Sequence, residues 1–110
     1  MAVYMLQLSY TAAAWAELVK HPQNRAKAVR KSVEKLGGKV NEFWFAFGEH
    51  DIVGIVEMPD NVAAAAFAIA IAAGGACHNV RTTPLLAIEE GMEAMKKAGD
   101  SGYKPVTGKK

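Results

Sequence analysis

Two extended runs, Lys39 to Phe47 and His50 to Met58, flank the dipeptide Gly48-Glu49. A Gly-X pair between two apolar runs predicts a tight hairpin closed by a type II′ turn. A two-residue loop pairs Phe47 with His50, and because side chains alternate across a strand, that pairing sorts every residue onto a face. Phe43, Phe45 and Phe47 fall with His50, Ile52, Gly54, Val56 and Met58. Val40, Glu42, Trp44 and Ala46 fall with Asp51, Val53, Ile55 and Glu57. The first face is the expected core beneath helices. The second holds too much Val, Ile and Trp to stay wet. A chain of 110 residues has few elements left to cover it, so a partner subunit, giving a homodimer or a higher oligomer, is the expected cover.

The remaining elements fit around that hairpin. Val3 to Tyr10 mixes β-branched, aromatic and aliphatic residues and predicts a strand with a buried face. Thr11 is placed to cap a helix over Ala12 to Lys20, which His21-Pro22 ends. A second helix starts near Asn24, with Ala26, Val29, Val33 and Leu36 on one stripe and Gly37-Gly38 as its stop. Asp60 is a good cap for Val62 to Ala73, a helical run without one polar residue, which predicts burial on more than one side and a second subunit contact. His78 to Ile88 predicts a last strand, at an edge because of Pro84, and Glu89 to Lys97 a short final helix. The order βα(α)ββαβ predicts an α+β, ferredoxin-like domain over residues 1–98, followed by a flexible basic tail over 99–110.

Composition narrows the function classes. The formal charge is +2, but from Lys96 onward five lysines stand against Asp100, so residues 1–95 sum to −2. The basic character belongs to the tail, and no nucleic-acid partner is expected. Cys77 is the single cysteine, so no internal disulfide forms, and a reducing cytoplasm is the expected location. Asn61 to Cys77 carries no charge, yet it is mostly alanine and short of the ~20 apolar residues a membrane span requires, so no membrane partner is expected either. Phosphate-loop, dinucleotide and Gly-x-Ser-x-Gly motifs are absent, and the residues specify no cofactor.

Four segments together resemble the GYD-domain family: Lys35-Leu36-Gly37-Gly38-Lys39-Val40, Phe43 to Pro59, the Ala-rich helix, and Asn79-Val80-Arg81-Thr82-Thr83. The resemblance covers about residues 3–97. It implies a dimeric α/β barrel, in which two ferredoxin-like sheets pack face to face, and it implies no particular activity. The family's Gly-x-Tyr-Asp pattern reads Gly48-Glu49-His50-Asp51 here, with histidine in the tyrosine's place.

Three function classes follow. The first is a homo-oligomer that binds a small, largely apolar molecule between sheet and helices, with Trp44, Phe45, Glu57 and Arg81 as ligand-binding residues. The second is a cofactor-free enzyme, an isomerase, lyase or monooxygenase, with His50 as acid/base and Asp51 beside it, because imidazole titrates near neutrality. The competing reading has His50 replace the tyrosine and hydrogen-bond at the strand end while Asp51 caps or braces the turn. Adjacent residues on a strand point to opposite faces, so His50 and Asp51 are not expected to form a dyad. The third is a soft N/S metal site from His50, His78 and Cys77. Glu42 and Glu57 need partners or solvent on the apolar second face: either Arg81, or Arg25 and Arg30, of a neighbouring subunit pair with them, or the two line a polar cavity at the barrel centre.

Overall fold

The computed structural model describes residues 1–106. Eight elements follow in order: β1 (Ala2–Tyr10), α1 (Ala12–Lys20), α2 (Arg25–Lys35), β2 (Lys39–Phe45), β3 (Ile52–Met58), α3 (Asn61–Gly74), β4 (Cys77–Leu85) and α4 (Ile88–Gly99). The four strands form one antiparallel sheet in the order β2-β3-β1-β4, a ferredoxin-like arrangement. β4 lies at an edge, where the missing N–H of Pro84 interrupts no interior ladder. Among the described residues no helix is long and apolar enough to cross a membrane.

The helix starts are chemically specified. The side chains of Thr11, Asn24 and Asp60 accept hydrogen bonds from the backbone N–H groups of Ala14, Lys27 and Ala63, which α1, α2 and α3 would otherwise leave unpaired. α3 ends at Gly75, whose φ of 79° is a left-handed conformation that glycine adopts without a Cβ penalty.

One face of the sheet packs on α2 and α3. Tyr4 and Leu6 of β1, Val40 of β2, and Val56 and Met58 of β3 meet Val33 of α2 and Ala64 and Phe67 of α3. Fully burying an aliphatic side chain such as Leu6 or Met58 is worth ~1.5–3 kcal/mol, and these contacts fix the helices on that side. The other face carries Val3, Met5, Val53, Ile55 and Glu57, all half-buried, beside the exposed Trp44 and Arg81. Among the described residues α2 and α3 pack on the opposite face, and α4 buries no residue.

The hairpin differs from its sequence reading in two ways. Phe43 pairs with Gly54 and Phe45 with Ile52, which is the predicted register, but the strands end there. Residues 46–51 form a wider loop, closed by a hydrogen bond from Ala46 N to Asp51 O (2.9 Å), in place of a two-residue turn. Phe47 is consequently fully exposed on the loop instead of lying in the core row. Between Val40 and Glu42 the register shifts by one residue. This bulge at Asn41 moves Val40 from the predicted open face to the core, opposite Val56.

α3 is less enclosed than its composition predicts. Only Ala64 and Phe67 are buried, while Val62 and Ile69 are exposed. α4 starts at Ile88 where the sequence places the end of the last strand, and no residue of it is buried. Of the tail predicted over 99–110, positions 107–110 lie outside the described residues.

Candidate functional site

Chemistry-bearing side chains gather at the end of the sheet where β1 stops and β4 begins. Tyr10 is the last residue of β1 and pairs with Cys77, the first of β4, just past a register shift after Ser9. Thr11 N donates to Ala76 O (2.9 Å), which closes the two chain segments on each other. Arg25 is the first residue of α2 and borders the same region. Tyr10, Arg25 and Cys77, together with Leu8, Val29, Ala70 and Ile71, line an inner cleft of about 250 Å³ between the sheet and helices α2 and α3. On one side it adjoins a hollow of about 220 Å³ lined by Tyr10, Ala14, Glu17, Leu18, Gln23 and Arg25. On the other it opens into an outer groove of about 380 Å³, floored by Val29, Leu36, Phe67 and Ile71 and flanked by Arg25 and Lys35. Arg25 borders all three spaces.

The electrostatics of the inner cleft are asymmetric. Burial pushes the Tyr10 phenol up from its ordinary pKa, with a further upward push from Cys77 and an opposing pull from the Arg25 guanidinium. Burial likewise raises the Cys77 thiol, the carboxylate of Asp51 adds to the rise, and Arg25 again opposes it. At neutral pH the cleft therefore holds a phenol, a neutral thiol and one permanent cation. Arg25 Nη1 donates to Gln23 Oε1 (3.2 Å), and among the described residues no carboxylate forms a salt bridge with it. Such a pole can donate hydrogen bonds to an oxygen anion while the walls hold an apolar body. A protonated thiol is a poor nucleophile, so this geometry favours binding over covalent chemistry.

His50 and Asp51 sit beside the cleft as parts of the 46–51 loop. His50 is buried, with Nδ1 3.4 Å from Ser9 Oγ, and Ser9 Oγ donates to Glu49 O (3.3 Å). Asp51 Oδ2 accepts from Tyr10 N (2.8 Å) and from Trp15 Nε1 (3.2 Å), and Asp51 N donates to Leu8 O (2.8 Å). The wider loop reverses the predicted sides: His50 meets Ser9, and Asp51 reaches α1. The two side chains serve different partners. Their bonds pin the loop to the end of β1.

The other predicted site residues are dispersed. Trp44 is exposed on the open face, its Nε1 donating to Glu42 Oε1 (3.0 Å). Glu57 lies on the same face and accepts from Asn41 Nδ2 (3.0 Å). Each carboxylate thus has a neutral partner within its own chain. Arg81 stands across β1, opposite Gln7. Phe45 points to the helix side, its ring 6.3 Å from that of Trp15, beside a hollow lined by Leu18, Val19, Pro22 and Gln23. Trp44, Phe45, Glu57 and Arg81 therefore do not converge on one pocket. Nor do the three metal candidates: among the described residues no three His, Cys, Asp or Glu side chains are grouped to hold a metal ion. Cys77 faces Tyr10, His78 is exposed, and His50 is held by Ser9.

A family model, the GYD domain, matches residues 4–95. The chain belongs to the GYD family. No curated protein and no solved structure matches it. The GYD match spans β1 to α4, so the cleft with Tyr10, Arg25 and Cys77 lies wholly within the matched region.

The sequence reading missed Tyr10 and Arg25 as site residues. One signal was present. Arg25 stands on the stripe of α2 that also carries Val29 and Leu36, so a cation interrupts an otherwise apolar helix face at its inward end.

Proposed function

We propose that this GYD protein is a homo-oligomeric small-molecule-binding protein whose ligand is a small, largely apolar molecule with an anionic oxygen at one end. The observation that carries the reading is the cleft itself. A guanidinium that forms no salt bridge among the described residues and a phenol line a chamber walled by Leu8, Val29, Ala70 and Ile71. Few, convergent polar groups in an apolar concavity are what small-molecule sites require. His50 and Asp51 serve as braces of the neighbouring loop and not as reacting groups.

Self-association is part of the proposal. The open face presents Val3, Met5, Trp44, Val53 and Ile55 to solvent in a single chain, and a second copy of the same face is the economical cover. The single, neutral Cys77 suits a reducing compartment such as the cytoplasm.

Octanoate is a suitable probe, titrated while backbone amide signals are followed by NMR. Leu8, Tyr10, Arg25, Val29, Ile71 and Cys77 are expected to shift together. In Arg25→Gln the Kd should rise about ten- to a hundredfold, the worth of one charge-assisted hydrogen bond. Shifts confined to other residues, or an unchanged Kd in Arg25→Gln, would overturn the assignment.

A further inference from the structure

The last helix is the least accounted-for part of the molecule. α4 leaves the edge strand through Leu86 and Ala87 and has no buried residue. It is nonetheless a well-made helix. Glu90 Oε1 accepts from Ala87 N (2.9 Å) at its start, Glu89 and Glu90 occupy the first turn, and Lys96 and Lys97 the last, as the helix dipole favours.

Its surface is sorted into three strips. Ile88, Met92 and Met95 recur at the four- and three-residue spacing of one helix face, and they are 78%, 55% and 72% exposed. At 3.6 residues per turn, Glu89 and Glu93, with Lys96, flank that stripe on one side, while Gly91, Ala94 and Ala98 flank it on the other. An isolated helix of twelve residues is marginal in water, so an apolar stripe of this kind calls for a surface to lie on.

The outer groove between α2 and α3 has the complementary arrangement. Its floor is apolar: Val29, Leu36, Phe67 and Ile71. The α2 wall is basic, with Arg25 and Lys35 at its two ends and Lys27, Arg30 and Lys31 behind them against Glu34 alone. The α3 wall is uncharged and small, with Ala70 lining the groove. The lengths also agree: α4 spans about 18 Å and α2 about 16 Å at 1.5 Å per residue. In the structure no residue of α4 is buried, so α4 does not fill its own groove, and its two-residue link reaches only about 7 Å.

We propose that α4 is an exchanged arm that lies in the α2/α3 groove of a second copy of this chain. Ile88, Met92 and Met95 enter the groove, Glu89 and Glu93 face the basic α2 wall, and Gly91, Ala94 and Ala98 let α3 approach closely. The arm's own surface carries this inference, which does not rest on the open faces pairing; because Arg25, Val29, Ala70 and Ile71 line both this groove and the inner cleft, a seated arm covers the outer side of that cleft.

The test is a directed cross-link in a Cys77→Ser background. Chains carrying only Ala94→Cys are mixed with chains carrying only Ala70→Cys, oxidised, and the linked peptides read by mass spectrometry. A disulfide between the arm of one chain and the groove of the other is expected. Adding Glu89→Lys and Glu93→Lys to the arm should slow that linkage about tenfold, and Arg25→Glu with Lys35→Glu on the receiving chain should restore much of the rate. Linkage of the arm thiols only to one another would show that α4 pairs with its own kind. A chain carrying both substitutions that links only within itself would show that the arm folds back. Either result, or linkage at a rate indifferent to the charge reversals, overturns the proposal.

Discussion

Cys77 shows how position sets the behaviour of one side chain. Burial and the nearby Asp51 carboxylate hold its thiol above the ordinary value, against the pull of Arg25. Alkylation by iodoacetamide should therefore be slow at neutral pH and rise with a midpoint above the ~8.5 of a free thiol. The same shift bears on stability. The unfolded chain loses this proton first as pH rises, so the folded state weakens across the alkaline range above that ordinary value and is unaffected below it. Melting temperatures should accordingly fall less steeply with alkaline pH in Cys77→Ser than in the native chain. Little of this residue's setting was legible in the sequence, because it depends on Tyr10, Arg25 and Asp51, which lie far apart along the chain. His50 and Asp51 were legible as neighbours of a turn but not as to side, since a wider loop undoes the strict alternation of a strand.

The elements were far more legible than the site. Caps at Thr11, Asn24 and Asp60 are local chemistry, readable from adjacent residues, and the structure places all three helices behind them. Hairpin register was legible from Phe43 to Phe45, where the apolar row fixes it, but not past the bulge at Asn41, which put Val40 on the other face. Turn width was not, since a Gly-X pair fits within several loop lengths. The enclosure of α3 was misjudged for a related reason: alanine marks a surface that can be approached closely, whether or not anything approaches it within one chain. Where α2 meets β2, close approach is fully used. A Cβ at Gly38 would stand 2.5 Å from Glu57 O, 2.6 Å from Met58 Sδ and 3.0 Å from Val33 Cγ1. Gly38→Ala should thus cost about 1–3 kcal/mol, read as a lowered urea midpoint. Gly48→Ala, whose Cβ meets nothing within 4 Å, should leave that midpoint nearly where it is.

At the scale of the whole molecule, the sheet separates two environments, a helix-covered core and an apolar face open to a neighbour. If the open faces pair, Ile55→Lys places a charge at their centre, and light scattering at micromolar concentration should report a smaller assembly than that of the native chain, with the native circular dichroism kept. A native chain that is itself monomeric under those conditions would refute the pairing. The bulge at Asn41 bears on how this two-sided design tolerates change in chain length. Val40 pairs with Val56 and Glu42 with Ile55, so the residue between them is supernumerary to the ladder. A chain lacking Asn41 would run through this stretch as regular strand, losing one hydrogen bond to Glu57 while every other side chain of β2 kept its side. The domain thus contains a position where a single-codon deletion is a conservative change, although almost anywhere else in the same strand it would exchange core for surface.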